Sequence, residues 1–285
     1  MHTQAPPTPR GAALKVAAIQ MVSTPAREEN LAAAARLIDA AAAQGARLVS
    51  LPEYFCQFGW KETDKFQIAE AEGSGPIQDL LAAKARQHGI WLAGGSLPLK
   101  TPDPSKVTNT ALLFDPQGRV AARYDKLHLF SFQDGARSLD ESRTMVAGRQ
   151  CVAADTDVGR VGLSICYDVR FPELYRALGE VDLLLVPSAF TETTGRAHWE
   201  LLLRARAVEN QCYVLAAAQG GTHANGRRTF GHSMLVDPWG EIVASQALGE
   251  GVVVGELDAE RLQAVRRMVP ALRHRRLRTP AELWA

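Results

Sequence analysis

Cysteine is scarce: four in 285 residues, and Cys56, Cys151, Cys166 and Cys212 stand far apart. None of them has the close spacing of a zinc site or a dithiol redox motif, so neither a disulfide framework nor a cysteine metal centre organises the chain. The thiols are expected to be free and the chain to reside in the cytoplasm. Long apolar runs are missing as well. None reaches the roughly 18 residues of a membrane span, and the N-terminus lacks the charged-then-apolar pattern of a secretory signal. No excess of one charge sign exists either. The 32 basic and 31 acidic side chains leave a formal net charge of +1, which provides no field to draw nucleic acid or a membrane, and the expected partner is a small molecule.

What is present is an ordinary globular composition, 46% hydrophobic and 22% charged, long enough for a substantial core. Residues 1–13 carry Pro, Thr and Ala without an apolar period and read as a mobile tail. Leu14–Met21 and Arg47–Glu53 read as strands around a helix from Pro25 to Gln44, which Gly45 stops. A helix at Pro76–His88 and a strand at Ile90–Leu97 follow. Asn109–Phe114 and Arg119–Lys126 then form a hairpin around Asp115-Pro116-Gln117-Gly118, with proline and glycine where a type I turn wants them. Phe132–Gly148 reads as a long irregular loop.

The second half repeats this grammar. A strand runs to Cys166, Phe171-Pro172-Glu173 opens a helix, and Val181–Ser188 is a buried strand. A helix at Ala197–Asn210 and a strand at Cys212–Gln219 come next, then a hairpin on Asp237-Pro238-Trp239-Gly240, the same Asp-Pro-x-Gly turn. Cys151 and Cys212 read as strand residues. A strand at Val252–Leu257 and a helix at Ala259–Met268 close the chain. Two halves built alike suggest a pseudo-symmetric α/β sandwich. The basic run Arg273–Arg278 reads as a subunit contact rather than a nucleic-acid site.

Four positions carry candidate chemistry, each beside a plainer reading. Cys166 ends a strand where the chain turns into a helix, as a nucleophile would, with the Tyr167 N–H as an oxyanion donor; a buried structural thiol fits the same pattern. Glu53 ends a strand at a loop rich in aromatics and is either a general base or a solvated carboxylate. Lys126, between Tyr124 and Phe130, is either a desolvated cation or a side chain snorkelling to water. Arg170 is either a clamp for a substrate carboxylate or the ion-pair partner of Glu173. His128 and His198 lack the local motif of a Cys-His pair and read as structural. Cys56 lies near this site in sequence without a base of its own.

Leu51-Pro52-Glu53, the run Tyr124–Phe130 and the run Ile165–Leu174 resemble, in that order, the three signature segments of the nitrilase superfamily of carbon-nitrogen hydrolases. The resemblance runs from about Leu14 to Arg278 and takes in Pro187–Phe190 and Arg204–Gln211. Gly231–Gly240 is similar to the Nit amidase branch. The resemblance implies one domain over residues 14–285, folded as a four-layer αββα sandwich. It also implies pairing through a helical face into a homodimer or higher homo-oligomer. A Glu-Lys-Cys triad is implied as well: Glu53 as base, Lys126 as cation and Cys166 as nucleophile, with a second glutamate placed at Glu141 and no cofactor or metal. The implied reaction is hydrolysis of a small carboxylate-bearing amide of the deaminated-glutathione type through a thioester. ω-Amidase and N-carbamoyl amide hydrolase activities, and a catalytically silent binding module, are the alternatives. Ser131 and Ala147-Gly148 depart from the acidic residue and Pro-Gly usual around that loop, a departure that bears on substrate more than on chemistry.

Overall fold

Three short apolar strands, Leu14–Gln20, Leu48–Ser50 and Trp91–Ala93, lie parallel and side by side. Gly251–Leu257 flanks them antiparallel on one edge, and Val107–Phe114 followed by Val120–Asp125 on the other. Leu97–Lys100 shares an edge of Val107–Phe114 with Trp91–Ala93. The second sheet has the same plan. Gly159–Leu163, Leu183–Leu185 and Tyr213–Ala216 are parallel, flanked by antiparallel Ala153–Thr156 on one side and by Ser233–Val236 and Ile242–Gln246 on the other. This is the expected pseudo-symmetry. The computed structural model describes residues 14–134 and 137–277; the expected tail at 1–13 and the last residue of the basic run, Arg278, lie outside them.

The repeated turns confirm the correspondence in detail. Asp115 Oδ1 accepts the N–H groups of Gln117 and Arg119 at 2.9 Å each. Asp237 Oδ1 accepts those of Trp239 and Glu241 at 2.9 and 2.8 Å. Gly118 and Gly240 take φ of 75° and 89°, left-handed backbone that a side chain would strain.

Alternation along the strands sorts residues between two cores. Val16, Ala18, Leu48 and Leu113 face the second sheet, where they share a core with Leu163, Leu185 and Leu215. Ala17, Ile19, Val49 and Phe114 face the other way, onto Leu37 and Ile38 of helix Arg27–Ala43 and Ile77 and Leu81 of helix Pro76–His88. Trp199, Leu203 and Ala207 of helix Glu192–Asn210 bury against the second sheet. The layers run helix, sheet, sheet, helix. Each fully buried leucine or isoleucine contributes roughly 1.5–3 kcal/mol by leaving water, so the two cores together fix the stacking.

Several elements differ from their expected bounds, each for a local reason. The expected strand Arg47–Glu53 shortens to Leu48–Ser50; the Leu51 N–H still donates to the Ala93 carbonyl at 3.0 Å, and the ladder stops at Pro52, which has no N–H to donate. Gly94-Gly95 interrupts the expected strand at Ile90–Leu97, splitting it into two. Phe132–Gly148 is not irregular throughout: Ser131–Asp134 pairs with Arg137–Asp140 as a ribbon, and a short 3-10 turn spans Glu141–Arg143. The expected helix at Ala197 starts earlier, at Glu192, where the Thr191 hydroxyl accepts the Thr194 N–H at 3.3 Å. Thr193, Thr194 and Gly195 are weak helix formers, yet a Cβ at Gly195 would lie 2.3 Å from Phe230 Cβ, so tertiary packing outweighs propensity. Cys151 and Cys212 stand just outside strands rather than within them.

Candidate active site

Strand Gly159–Leu163 releases the chain into a 3-10 turn, Cys166–Arg170, followed by the six-residue helix Pro172–Ala177. Cys166 has φ of 50°, and its N–H donates to the Pro187 carbonyl at 2.9 Å. Tyr54, next to Glu53, has φ of 55°. Left-handed backbone at bulky residues is rare and costs of order 1–3 kcal/mol. Of the four such non-glycine residues among those described, Tyr54 and Cys166 fall at this site. Asp168, fully buried, holds the turn. Its Oδ2 accepts the Ile165 N–H at 2.8 Å and the Tyr124 hydroxyl at 2.7 Å, and its Oδ1 the His128 N–H at 3.1 Å. The segment that carries Lys126 is thereby tied to the segment that carries Cys166.

Glu53 lies in the turn beyond Leu48–Ser50 and is 1% exposed. Its Oε1 accepts from Lys126 Nζ at 2.9 Å and Asn109 Nδ2 at 3.0 Å, and its Oε2 from the Ala189 N–H at 3.0 Å. Cys166 lines the same cleft as this carboxylate, whose charge acts on its thiol. Lys126 Nζ also donates to Glu141 Oε1 and Oε2 at 3.1 and 2.9 Å. Glu141 in turn accepts the Tyr54 hydroxyl at 2.5 Å and the Phe130 N–H at 2.7 Å.

One cation thus sits between two carboxylates. Burial would raise the carboxyl of Glu141, but Lys126, the Tyr54 hydroxyl and the Phe130 N–H outweigh it and hold Glu141 below its ordinary value. For Glu53 burial prevails over Lys126, with the Glu141 charge adding to it, and its carboxyl rises. Burial alone would lower the Lys126 ammonium, yet Glu141 and Glu53 keep it well above its ordinary value. Burial and then Glu53 push the Cys166 thiol well up. The resting site therefore holds a neutral thiol beside a carboxyl whose affinity for a proton is raised.

Glu53, Lys126, Glu141, Cys166, Tyr167 and Arg170 all line one cleft, together with Phe190, Thr191 and Arg227. Every site residue named from the sequence is brought together there. The plainer readings of Glu53 and Lys126 fail, since neither reaches solvent. Arg170 forms no ion pair with Glu173: its Nη1 lies 3.2 Å from His198 Nδ1, and its guanidinium stands 5.2 Å from the centre of the Phe190 ring. Cys56 is buried, its thiol pushed up to about 12 by burial, and it belongs to the core. Among the described residues, no group of three or more His, Cys, Asp or Glu side chains is placed to hold a metal ion.

Sequence reasoning missed Asn109, Tyr54, Asp168, Arg227 and the Ala189 N–H as parts of the site. Tyr54 and Asp168 lie inside segments the resemblance had quoted or bordered, so position in a motif was the available signal. Asn109 and Arg227 carried none.

Fold and cleft together define an α/β sandwich hydrolase. The Carbon-nitrogen hydrolase family matches residues 15–267, and the chain belongs to it. A deaminated glutathione amidase of Synechocystis is 45% identical over 266 residues, covering 91% of this chain and 97% of the relative. The crystal structure of the NitFhit protein of Caenorhabditis elegans superposes with a TM-score of 0.86 at 43% identity over 93% of this chain; the chain spans 65% of the length of that fusion protein. Nit3 of Saccharomyces cerevisiae, a member of branch 10 of the nitrilase superfamily, superposes with a TM-score of 0.83 at 33% identity, covering 93% and 97% of the two chains. The amidase name of the Synechocystis relative agrees with a hydrolase of amide bonds.

Proposed function

We propose that this enzyme hydrolyses deaminated glutathione, or an amide of that carboxylate-bearing type, through a thioester on Cys166. The observation that carries the reading is the network in which Lys126 bridges Glu53 and Glu141 in the cleft that Cys166 lines. In this mechanism Glu53 takes the thiol proton as Sγ attacks the amide carbon. Lys126 and the Tyr167 N–H hold the oxyanion. Glu53 passes its proton to the departing nitrogen, the C–N bond breaks, and amine or ammonia leaves. Water, deprotonated by Glu53, then releases the carboxylic acid from Cys166. Glu141 is the standing counter-ion that keeps Lys126 charged while Glu53 cycles between its two states. Arg170, which has no carboxylate partner among the described residues, receives the substrate's.

The enzyme pairs, in this reading, through the outer face of helix Glu192–Asn210, where Leu201 and Val208 are 68% and 50% exposed and the turn at Gly240 adjoins Val208. The exposed Arg273 and His274 belong to the same contact. It works in the cytoplasm, consistent with four free cysteines, Cys151 among them at the surface.

The test is an activity panel of deaminated glutathione, α-ketoglutaramate and an N-carbamoyl amino acid, read with intact-mass detection of an acyl adduct on Cys166. The expected result is highest kcat/KM on deaminated glutathione and no turnover by Cys166→Ala. Preference for either of the other two substrates would reassign the enzyme to a sister activity. No turnover and no adduct would make it a silent binding module.

A further inference from the structure

We propose that Asn109 is a positioning residue that dictates which oxygen of Glu53 receives the Cys166 proton. The inference rests on the reading of Glu53 as the base. Asn109 lies within strand Val107–Phe114 and is 2% exposed. Its backbone carbonyl accepts the Lys126 N–H at 2.9 Å, and its Nδ2 donates to Glu53 Oε1 at 3.0 Å. One residue thus holds the backbone of the cation and the carboxylate of the base.

The other half of the amide is informative. Asn109 Oδ1 is buried and has no hydrogen-bond partner among the described residues. A buried acceptor left unsatisfied is unfavourable, whereas leucine, of similar shape, would fill the same place with nothing unpaired. Packing therefore does not account for an amide here. The bond to Glu53 does. That bond also fixes the amide's orientation, since the reversed amide would set Oδ1 against a carboxylate oxygen, two acceptors face to face.

The consequence is an asymmetric carboxylate. Oε1 accepts from two donors, Lys126 and Asn109, while Oε2 accepts the Ala189 N–H and so keeps the greater free acceptor capacity. The proton of the thiol therefore passes from Sγ to Oε2, and from Oε2 to the departing nitrogen. Donation by Asn109 also favours the ionised form of Glu53. The other titratable groups facing Glu53 are Lys126, Glu141, Cys166 and Tyr54; removing Asn109 alters none of them.

The test is the pH dependence of Cys166 alkylation by iodoacetamide, read at that residue by peptide mass spectrometry, in the wild type, Asn109→Leu, Asn109→Ser and Glu53→Gln. It requires no knowledge of the substrate. Both Asn109 variants are expected to move the acid midpoint up by about one pH unit, the size set by losing a hydrogen bond to a charged group. Alkylation below that midpoint should slow about tenfold. Asn109→Leu removes an unpaired acceptor and a hydrogen bond to a buried carboxylate together, so its melting temperature serves as the check that it folds. If it does not fold, Asn109→Ser decides by the same criterion. An unmoved midpoint in the Asn109 variants, with the limb abolished in Glu53→Gln, overturns the inference and leaves the base intact. A limb that survives in Glu53→Gln overturns the base as well.

Discussion

His128 Nδ1 lies 2.8 Å from Asp168 Oδ1, and the imidazole stacks on Phe171 with ring centres 3.7 Å apart. The histidine two residues past Lys126 is thus held by the aspartate two residues past Cys166. This pair, with Tyr124 on the second oxygen of Asp168, fixes the distance between ammonium and thiol without touching either.

Asp168→Ala would leave these buried donors without an acceptor. The expected loss is about 3–5 kcal/mol, the scale for removing one member of a buried charged network. Urea unfolding measures it. Asp168→Asn retains part of the acceptor capacity and should lose less, so equal losses for both would show that the contacts matter little.

Lys126→Met keeps the length of the side chain and removes its charge. On the proposed mechanism kcat falls roughly 100- to 1,000-fold, the scale for losing one oxyanion donor. KM should change far less. Steady-state kinetics on the best substrate of the panel decides, and a rise in KM alone would place Lys126 in binding rather than chemistry.

Glu141→Gln is predicted to shift the acid limb of activity downward, opposite to the Asn109 variants. The sign follows from charge: Glu141 raises the Glu53 carboxyl and Lys126 lowers it, so removing Glu141 leaves Lys126 to Glu53 alone. Glu53 must be ionised to accept a proton, and its carboxyl is raised. Wild-type kcat/KM should accordingly fall with acid at a midpoint above the ordinary 4.5 of a glutamate, and the variant's midpoint should be lower. A midpoint that rises in Glu141→Gln would contradict the arrangement.

Arg170→Lys tests the carboxylate clamp. A planar fork can bind a carboxylate through two N–H groups and an ammonium cannot. KM for an anionic amide should rise about 10-fold or more, while a neutral amide of similar size should be handled as before. Equal effects on both amides would mean that Arg170 serves only the rings of Tyr167 and Phe190.

Leu201→Asp and Val208→Asp place charge on the exposed face of helix Glu192–Asn210. If that face pairs two chains, sedimentation should show the wild type as a dimer and the variants as monomers at micromolar concentration. A wild type that sediments as a monomer ends the proposal.

The sequence was most legible where chemistry and pattern coincide. Apolar alternation located the strands, and the two Asp-Pro-x-Gly turns marked corresponding hairpins whose bonding is the same in both halves. Glu53, Lys126 and Cys166 were nameable because each sits in a distinctive segment. Asn109 was not, because an asparagine in a strand has no local signature and its partner is 56 residues away in sequence. The first turn of helix Glu192–Asn210 is not legible because contact between Gly195 and Phe230 is invisible to propensity. The ribbon at Ser131–Asp140 was hidden for a related reason: four-residue strands with little alternation look like loop.

The thiol and its carboxylate neighbour belong to different sheets, and the two sheets share the central core. Until the sheets dock, Cys166 has no Glu53 beside it and no Lys126 within reach. A chain still emerging from synthesis therefore carries an ordinary thiol, and reactivity begins only when the second half has closed onto the first.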